Sequence, residues 1–130
     1  MKRKGFTLVE IMIVVAIVVL LALIVIPNIL RPRVTANELT AQATLRTISS
    51  AFEKYAAAHN GNYPTTMTDL TSQTPPYLNE DYVAKGPRQG YIFTVPAYGA
   101  NYCIQATPET SGQSKTFNIK SGGVLSEGAC

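Results

Sequence analysis

Few residues in this chain have the types and spacing for chemistry, and the sharpest set stands at its start. Gly5-Phe6-Thr7-Leu8-Val9-Glu10 puts one carboxylic acid into an apolar run that carries no other charge as far as Ile26. An ionised carboxylate costs up to about 3 kcal/mol at mid-bilayer, so it needs a cation to meet. The other candidates are scattered: His59, the single histidine; Cys103 and Cys130; and the acidic cluster Asn79-Glu80-Asp81. No serine or cysteine motif has a base beside it, so the chain does not read as an enzyme. A calcium loop needs several spaced oxygen ligands, and the acidic cluster is too sparse for one. The sequence therefore calls for no metal and no cofactor.

The element that must position Glu10 is the N-terminal stretch itself. Lys2, Arg3 and Lys4 precede Gly5, and the apolar run continues to Pro27 and Leu30. As a helix, residues 6–30 would span roughly 37 Å, enough for a hydrocarbon layer of about 30 Å. Three readings compete. A secretory signal has a shorter core and a small-residue cleavage site after it, whereas Pro27-Asn28-Ile29-Leu30 offers none. A plain membrane anchor fits the length but gives no reason for Glu10. A cut between Gly5 and Phe6 removes the basic start, keeps the helix, and leaves a new amino group four residues from Glu10.

Gly5-Phe6-Thr7-Leu8-Val9-Glu10 resembles the class III leader and N-methylation motif of type IV pilins and pseudopilins: glycine before the cut, phenylalanine after it, glutamate at the fifth mature position. The resemblance implies that a prepilin peptidase cleaves between Gly5 and Phe6 and methylates Phe6. It also implies that Glu10 pairs with the N-terminal amine of a neighbouring subunit during assembly. Family members commonly carry a proline at the position of Pro27, implying a segment that loosens on assembly; Pro32 is less usual in that pattern. From the residues alone, Pro27 and Pro32 each remove a helix hydrogen bond, so a kink or partial unwinding is expected here, as an extensible joint or a static bend.

Charge and composition narrow the partners. Losing Lys2, Arg3 and Lys4 takes Lys plus Arg from 11 to 8, against 8 Asp plus Glu, so the mature side chains sum to zero. A strongly basic nucleic-acid surface is not indicated. The leader cations hold the N-terminus in the cytoplasm, placing residues 31–130 outside it.

The organisation expected is a leader (1–5), a transmembrane and filament-core helix (6–30), and one extracytoplasmic domain (31–130). Within that domain a helix is expected over 33–59: Ala41, Leu45, Ile48, Phe52 and Tyr55 recur on one face, while Glu38, Gln42, Arg46, Glu53 and Lys54 lie mostly off it. Asn60-Gly61 ends it. Residues 60–90 read as a proline-rich connector with one helical turn near Met67-Leu70. Tyr91–Val95, Tyr102–Ala106, Phe117–Lys120 and Val124-Leu125 alternate as strands of an antiparallel meander over 91–130, with turns at Pro96–Gly99, Pro108–Gly112 and Ser121-Gly122-Gly123. Such a small sheet must bury a face against the helix stripe, an α+β fold of three or four strands resembling type IV pilins. Tyr77, Tyr82, Tyr91, Tyr98 and Tyr102 read as core and subunit contacts rather than a stacking surface for DNA or electron transport.

Cys103 and Cys130 face an oxidising compartment by this orientation, so one disulfide is expected, with free thiols or a metal site as alternatives. Type IV pilins often close their C-terminal region this way and secretion pseudopilins generally do not, which tilts the reading toward a pilin. The function implied is a structural filament subunit, a homo-oligomer that starts in inner-membrane lipid, meets the peptidase and an assembly platform, and ends in an extracellular pilus. The alternatives are a major pseudopilin of a type II secretion system, in a periplasmic filament, or a membrane-anchored binding protein that never polymerises.

Overall fold

A computed structural model describes residues 3–26, 31–112 and 114–130, with residues 27–30 given by backbone alone. The expectation that rests on Lys2 lies outside the described residues, whereas the backbone stays helical through Pro27 and Pro32, without the partial unwinding expected there. The element order is α1 (Leu8–Ala58), α2 (Thr68–Thr71), β1 (Tyr91–Ala97), β2 (Cys103–Pro108), β3 (Phe117–Lys120) and β4 (Val124–Glu127). The fold is α+β, with four antiparallel strands in the order β1-β2-β3-β4. The chain divides into two compact units, Met1–Val34 and Thr35–Cys130. Pro32 stands inside α1.

In the first unit α1 is apolar all round and exposed: no residue of its most apolar 18-residue window, of mean hydropathy 3.4, is buried. By length and composition it can cross a membrane.

In the second unit the helix becomes one-sided. Ala41, Leu45, Ile48 and Phe52 are buried as the spacing predicts, and Tyr55 packs against them from the edge. They meet the inward residues of the sheet, Tyr91, Phe93, Ile104, Ala106, Phe117 and Ile119. Alternation along the strands delivers these side chains to one face. The helix ends at Asn60 and Gly61, both with positive φ, and the Gly61 N–H returns to the Ala56 carbonyl at 2.7 Å.

Two expectations change. Residues 60–90 do more than connect, since Pro64, Met67, Leu70 and Leu78 are all buried in the same unit. Leu70 anchors the segment through its carbonyl, which accepts the N–H groups of both Tyr77 and Leu78. The turn expected at Pro96 begins later, because β1 runs on to Ala97. Pro96, which cannot donate to a ladder, falls where the β1–β2 register shifts between Thr94 and Ala97.

Cys103 and Cys130 form a disulfide with Cα atoms 6.1 Å apart. It does not act alone on the C-terminus. Asn118 donates from Nδ2 to the Gly128 carbonyl at 2.8 Å, and the Cys130 N–H donates to Gln105 Oε1 at 3.0 Å.

Candidate functional site

The residues singled out at the start of the chain stand together at the N-terminal end of α1. Thr7 immediately precedes the helix and Glu10 lies in its first turn. The Thr7 N–H donates to Glu10 Oε2 at 2.8 Å, the Thr7 hydroxyl donates to the same oxygen at 3.1 Å, and the Glu10 N–H returns to Thr7 Oγ1 at 3.3 Å. This is a capping box, in which two otherwise unpaired helix N–H groups are satisfied reciprocally. Thr-x-x-Glu ahead of an apolar run is its sequence signature, a signal for Thr7 that the reading of motifs passed over. The carboxylate also lies where the helix dipole favours negative charge.

Gly5 and Phe6 behave differently from residues placed for folding. A Cβ on Gly5 would meet nothing within 4 Å and its φ is not positive, so neither space nor backbone conformation demands glycine there. Phe6 is 84% exposed. Phe6, Glu10, Ile11, Ile13 and Val14 border an open recess of about 340 Å³ with a mostly apolar surface. The chain buries none of this surface itself, and an apolar face of this extent needs lipid or protein to cover it.

The globular unit contains a second polar centre that periodicity did not reveal. Glu53 was expected off the packing face, yet it is half-buried and accepts three hydrogen bonds. Tyr102 Oη and the Gly122 N–H donate to Oε1 at 2.8 and 3.0 Å, and Tyr63 Oη donates to Oε2 at 3.0 Å. Burial pushes the Glu53 carboxyl up, but these donors outweigh it and hold the group below its ordinary value. Burial first, and then the Glu53 carboxylate beside it, push the Tyr102 phenol up, against the lowering effect of Ser49 at 2.7 Å. Glu53 therefore ties α1 to Tyr102, the residue before β2, to the β3–β4 turn and to Tyr63. Its role is structural.

The remaining candidates are absorbed by the fold. His59 stacks on Tyr55 with ring centroids 3.9 Å apart, and its Nδ1 lies 2.9 Å from the Tyr55 carbonyl oxygen. Glu80 pairs with Lys85 and, at 2.6 Å, with Arg88; these cations hold its carboxyl below the usual range. Asp81 accepts the N–H groups of Val83 and Ala84. Tyr91 and Tyr102 are buried, Tyr77 and Tyr82 pack against the core, and Tyr98 stacks on Phe52 while 38% exposed.

Comparison with known proteins points the same way as the N-terminal geometry. Residues 1–26 match the family model described as "Prokaryotic N-terminal methylation motif". The chain is 30% identical to the type II secretion system core protein G of Klebsiella pneumoniae, over 95% of this chain and 88% of that protein. It is 32% identical to the protein of the same name from Escherichia coli (strain K12), over 79% and 72% respectively. It is also 31% identical to the type IV wide pilus major component PilA4 of Thermus thermophilus, over 82% of each. No solved structure matches the chain significantly.

Proposed function

The chain belongs to the type IV pilin and pseudopilin family, and from that premise we propose that it is a structural subunit of a type IV pilus-like filament. A prepilin peptidase cuts the precursor between Gly5 and Phe6 and methylates Phe6. An inner-membrane assembly platform then packs the helices of residues 6–30 into the filament core. Before assembly the helix sits in the inner membrane, with residues 31–130 outside the cytoplasm.

The observation that carries this reading is the wholly exposed apolar face of α1 in the first unit, with one carboxylate at its start. Moving that face from lipid to copies of itself keeps it covered while trading acyl chains for side-chain packing. Glu10 then finds its cation in the Phe6 amine of a neighbour. Pro27 and Pro32 supply the joint that lets the helix adjust during this transfer. The Cys103–Cys130 disulfide stabilises the globular unit.

A second reading, a major pseudopilin in a periplasmic type II secretion filament, is favoured by the relatives named core protein G. It shares every step up to polymerisation. Electron microscopy of sheared surface material, with fibres identified by peptide mass, tests the proposal. Surface fibres containing this chain support the pilus; fibres confined to the periplasm support the pseudopilus. A chain that never enters a polymer contradicts both.

A further inference from the structure

On the globular unit, α1 and the β3–β4 turn enclose an open groove of about 670 Å³, lined by Arg46, Ser50, Glu53, Ile119, Gly122 and Gly123 among others. The carboxylate in it, Glu53, is already occupied by donors from Tyr63, Tyr102 and Gly122. Arg46 is exposed and has no acidic partner among the described residues. The residues one helical turn to either side of it are Gln42, Ala43, Ser49 and Ser50, none of which can pair with a guanidinium as an anion.

The acids of the chain are almost fully used. Glu10 accepts from Thr7, Glu38 from the Lys115 N–H, Asp69 from Thr65 and Thr66, and Asp81 from Val83 and Ala84. Glu80 pairs with Lys85 and Arg88, and Glu127 with Lys115. Among the described residues Glu109 is the one acidic side chain without a partner. It is exposed, and its backbone is fixed by an N–H bond to the Gly90 carbonyl at 2.7 Å.

The sheet register keeps Arg46 and Glu109 apart within one copy. Cys103 pairs with Lys120, so the β3–β4 turn lies at the end of the sheet where β2 begins. Glu109 follows the last residue of β2, at the opposite end, where Pro108 pairs with Tyr91. We propose that Glu109 of one copy pairs with Arg46 in the groove of a neighbouring copy, and so sets the register between globular units. The pairing rests on the reading that this chain polymerises. A contact joining two different patches of identical copies is heterologous, and such contacts propagate into an open helical array. A guanidinium bordering a partly apolar groove offers a carboxylate a two-pronged, oriented partner.

The test is charge reversal in the full chain, in cells that assemble it: R46E, E109R and the double variant, with R46Q and E109Q as milder removals. Filament yield is read after shearing, and melting of the detergent-solubilised chain checks the fold. The expected result is a yield lowered roughly two- to fivefold per exposed contact by each single change, more steeply at low salt, with recovery in the double variant. Melting temperatures should stay unchanged. Unchanged yield in all single variants, or a double variant no better than the poorer single, overturns the pairing. E10A run in parallel separates the two claims. Filaments lost in E10A but normal in the Arg46 and Glu109 variants refute the pairing alone; filaments normal in every variant, E10A included, refute the pairing and the assembly role of Glu10; a wild-type chain found in no filament refutes the assembly reading and the pairing with it.

Discussion

Glu10 Oε2 lies 2.8 Å from the backbone nitrogen of Thr7 and 3.1 Å from its hydroxyl, while Oε1 takes no hydrogen bond among the described residues. One carboxylate thus has two faces, one closing its own helix and one open to a cation from outside. A helix cap of this kind is worth about 0.5–2 kcal/mol. The cap alone therefore gives Glu10 a reason to exist, and the open oxygen is the one that the proposed pairing with a neighbour's amine would use.

The two roles separate by substitution. Glutamine at the third helical position can still close a capping box but carries no charge. Glu10→Gln should therefore keep the helix end while lowering filament yield at least about tenfold, since an ion pair in an apolar core is lost. Glu10→Ala should lose the cap as well. Neither change should move the melting of the globular unit. Normal filament yield from Glu10→Gln, measured by immunoblot of sheared material, would reduce Glu10 to a cap.

Gly5→Val should be neutral for folding, because its side chain enters open space. Its effect should fall on processing: intact-mass measurement of the membrane fraction should find the basic start retained. A wild-type proportion of chains starting at Phe6 would show that the glycine is not read by the peptidase.

Stability of the globular unit should depend on pH through Glu53. Its folded carboxyl is held below the ordinary value, so its contribution is full at neutral pH and is lost as pH falls through about 4.3 and below. Asp69 is also held low: burial raises it, but the Thr65 and Thr66 N–H groups and hydroxyls outweigh burial. Glu80, held low by its cations, acts in the same direction. Both persist in a Glu53→Gln variant, so the difference between the two proteins isolates Glu53. Glu53→Gln should cost about 1 kcal/mol at pH 7, lowering melting by about 4–8 °C. The gap to wild type should narrow as pH falls below the ordinary glutamate range. A gap that widens on acidification would mean that Glu53 titrates in the opposite sense.

Reduction of Cys103–Cys130 should destabilise without unravelling the sheet. The chain-entropy estimate for a loop of this length is roughly 3–4 kcal/mol. Asn118 and Gln105 keep holding the segment that leads to Cys130. Thermal melts with and without dithiothreitol should differ in wild type and coincide in a Cys103→Ser/Cys130→Ser variant.

The elements that the sequence made legible are those with a period or a punctuation mark. The stripe from Ala41 to Tyr55 recurs on one helical face, and Asn60-Gly61 marks a left-handed stop, so both could be read directly. The buried residues of the 60–90 segment could not. Leu70 and Leu78 stand singly among prolines and polar residues, and only the folded backbone brings them into the core. Glu53 was hidden for a related reason. Its position on the helix is off the apolar stripe, and its three donors lie 10, 49 and 69 residues away. The cysteine pair indicated a pilin, whereas relatives named for type II secretion match as well as the pilus protein does. A disulfide answers a stability need and carries no information about where a filament ends.

If the chain, once cut, polymerises through its own N-terminal helix, intact mass spectrometry of filaments purified from the source cell will show it. Their subunits should begin at Phe6, carry a methyl group on that amine, and keep the Cys103–Cys130 bond. Recovery of the chain only as unassembled membrane protein, still beginning at Met1, would contradict such assembly.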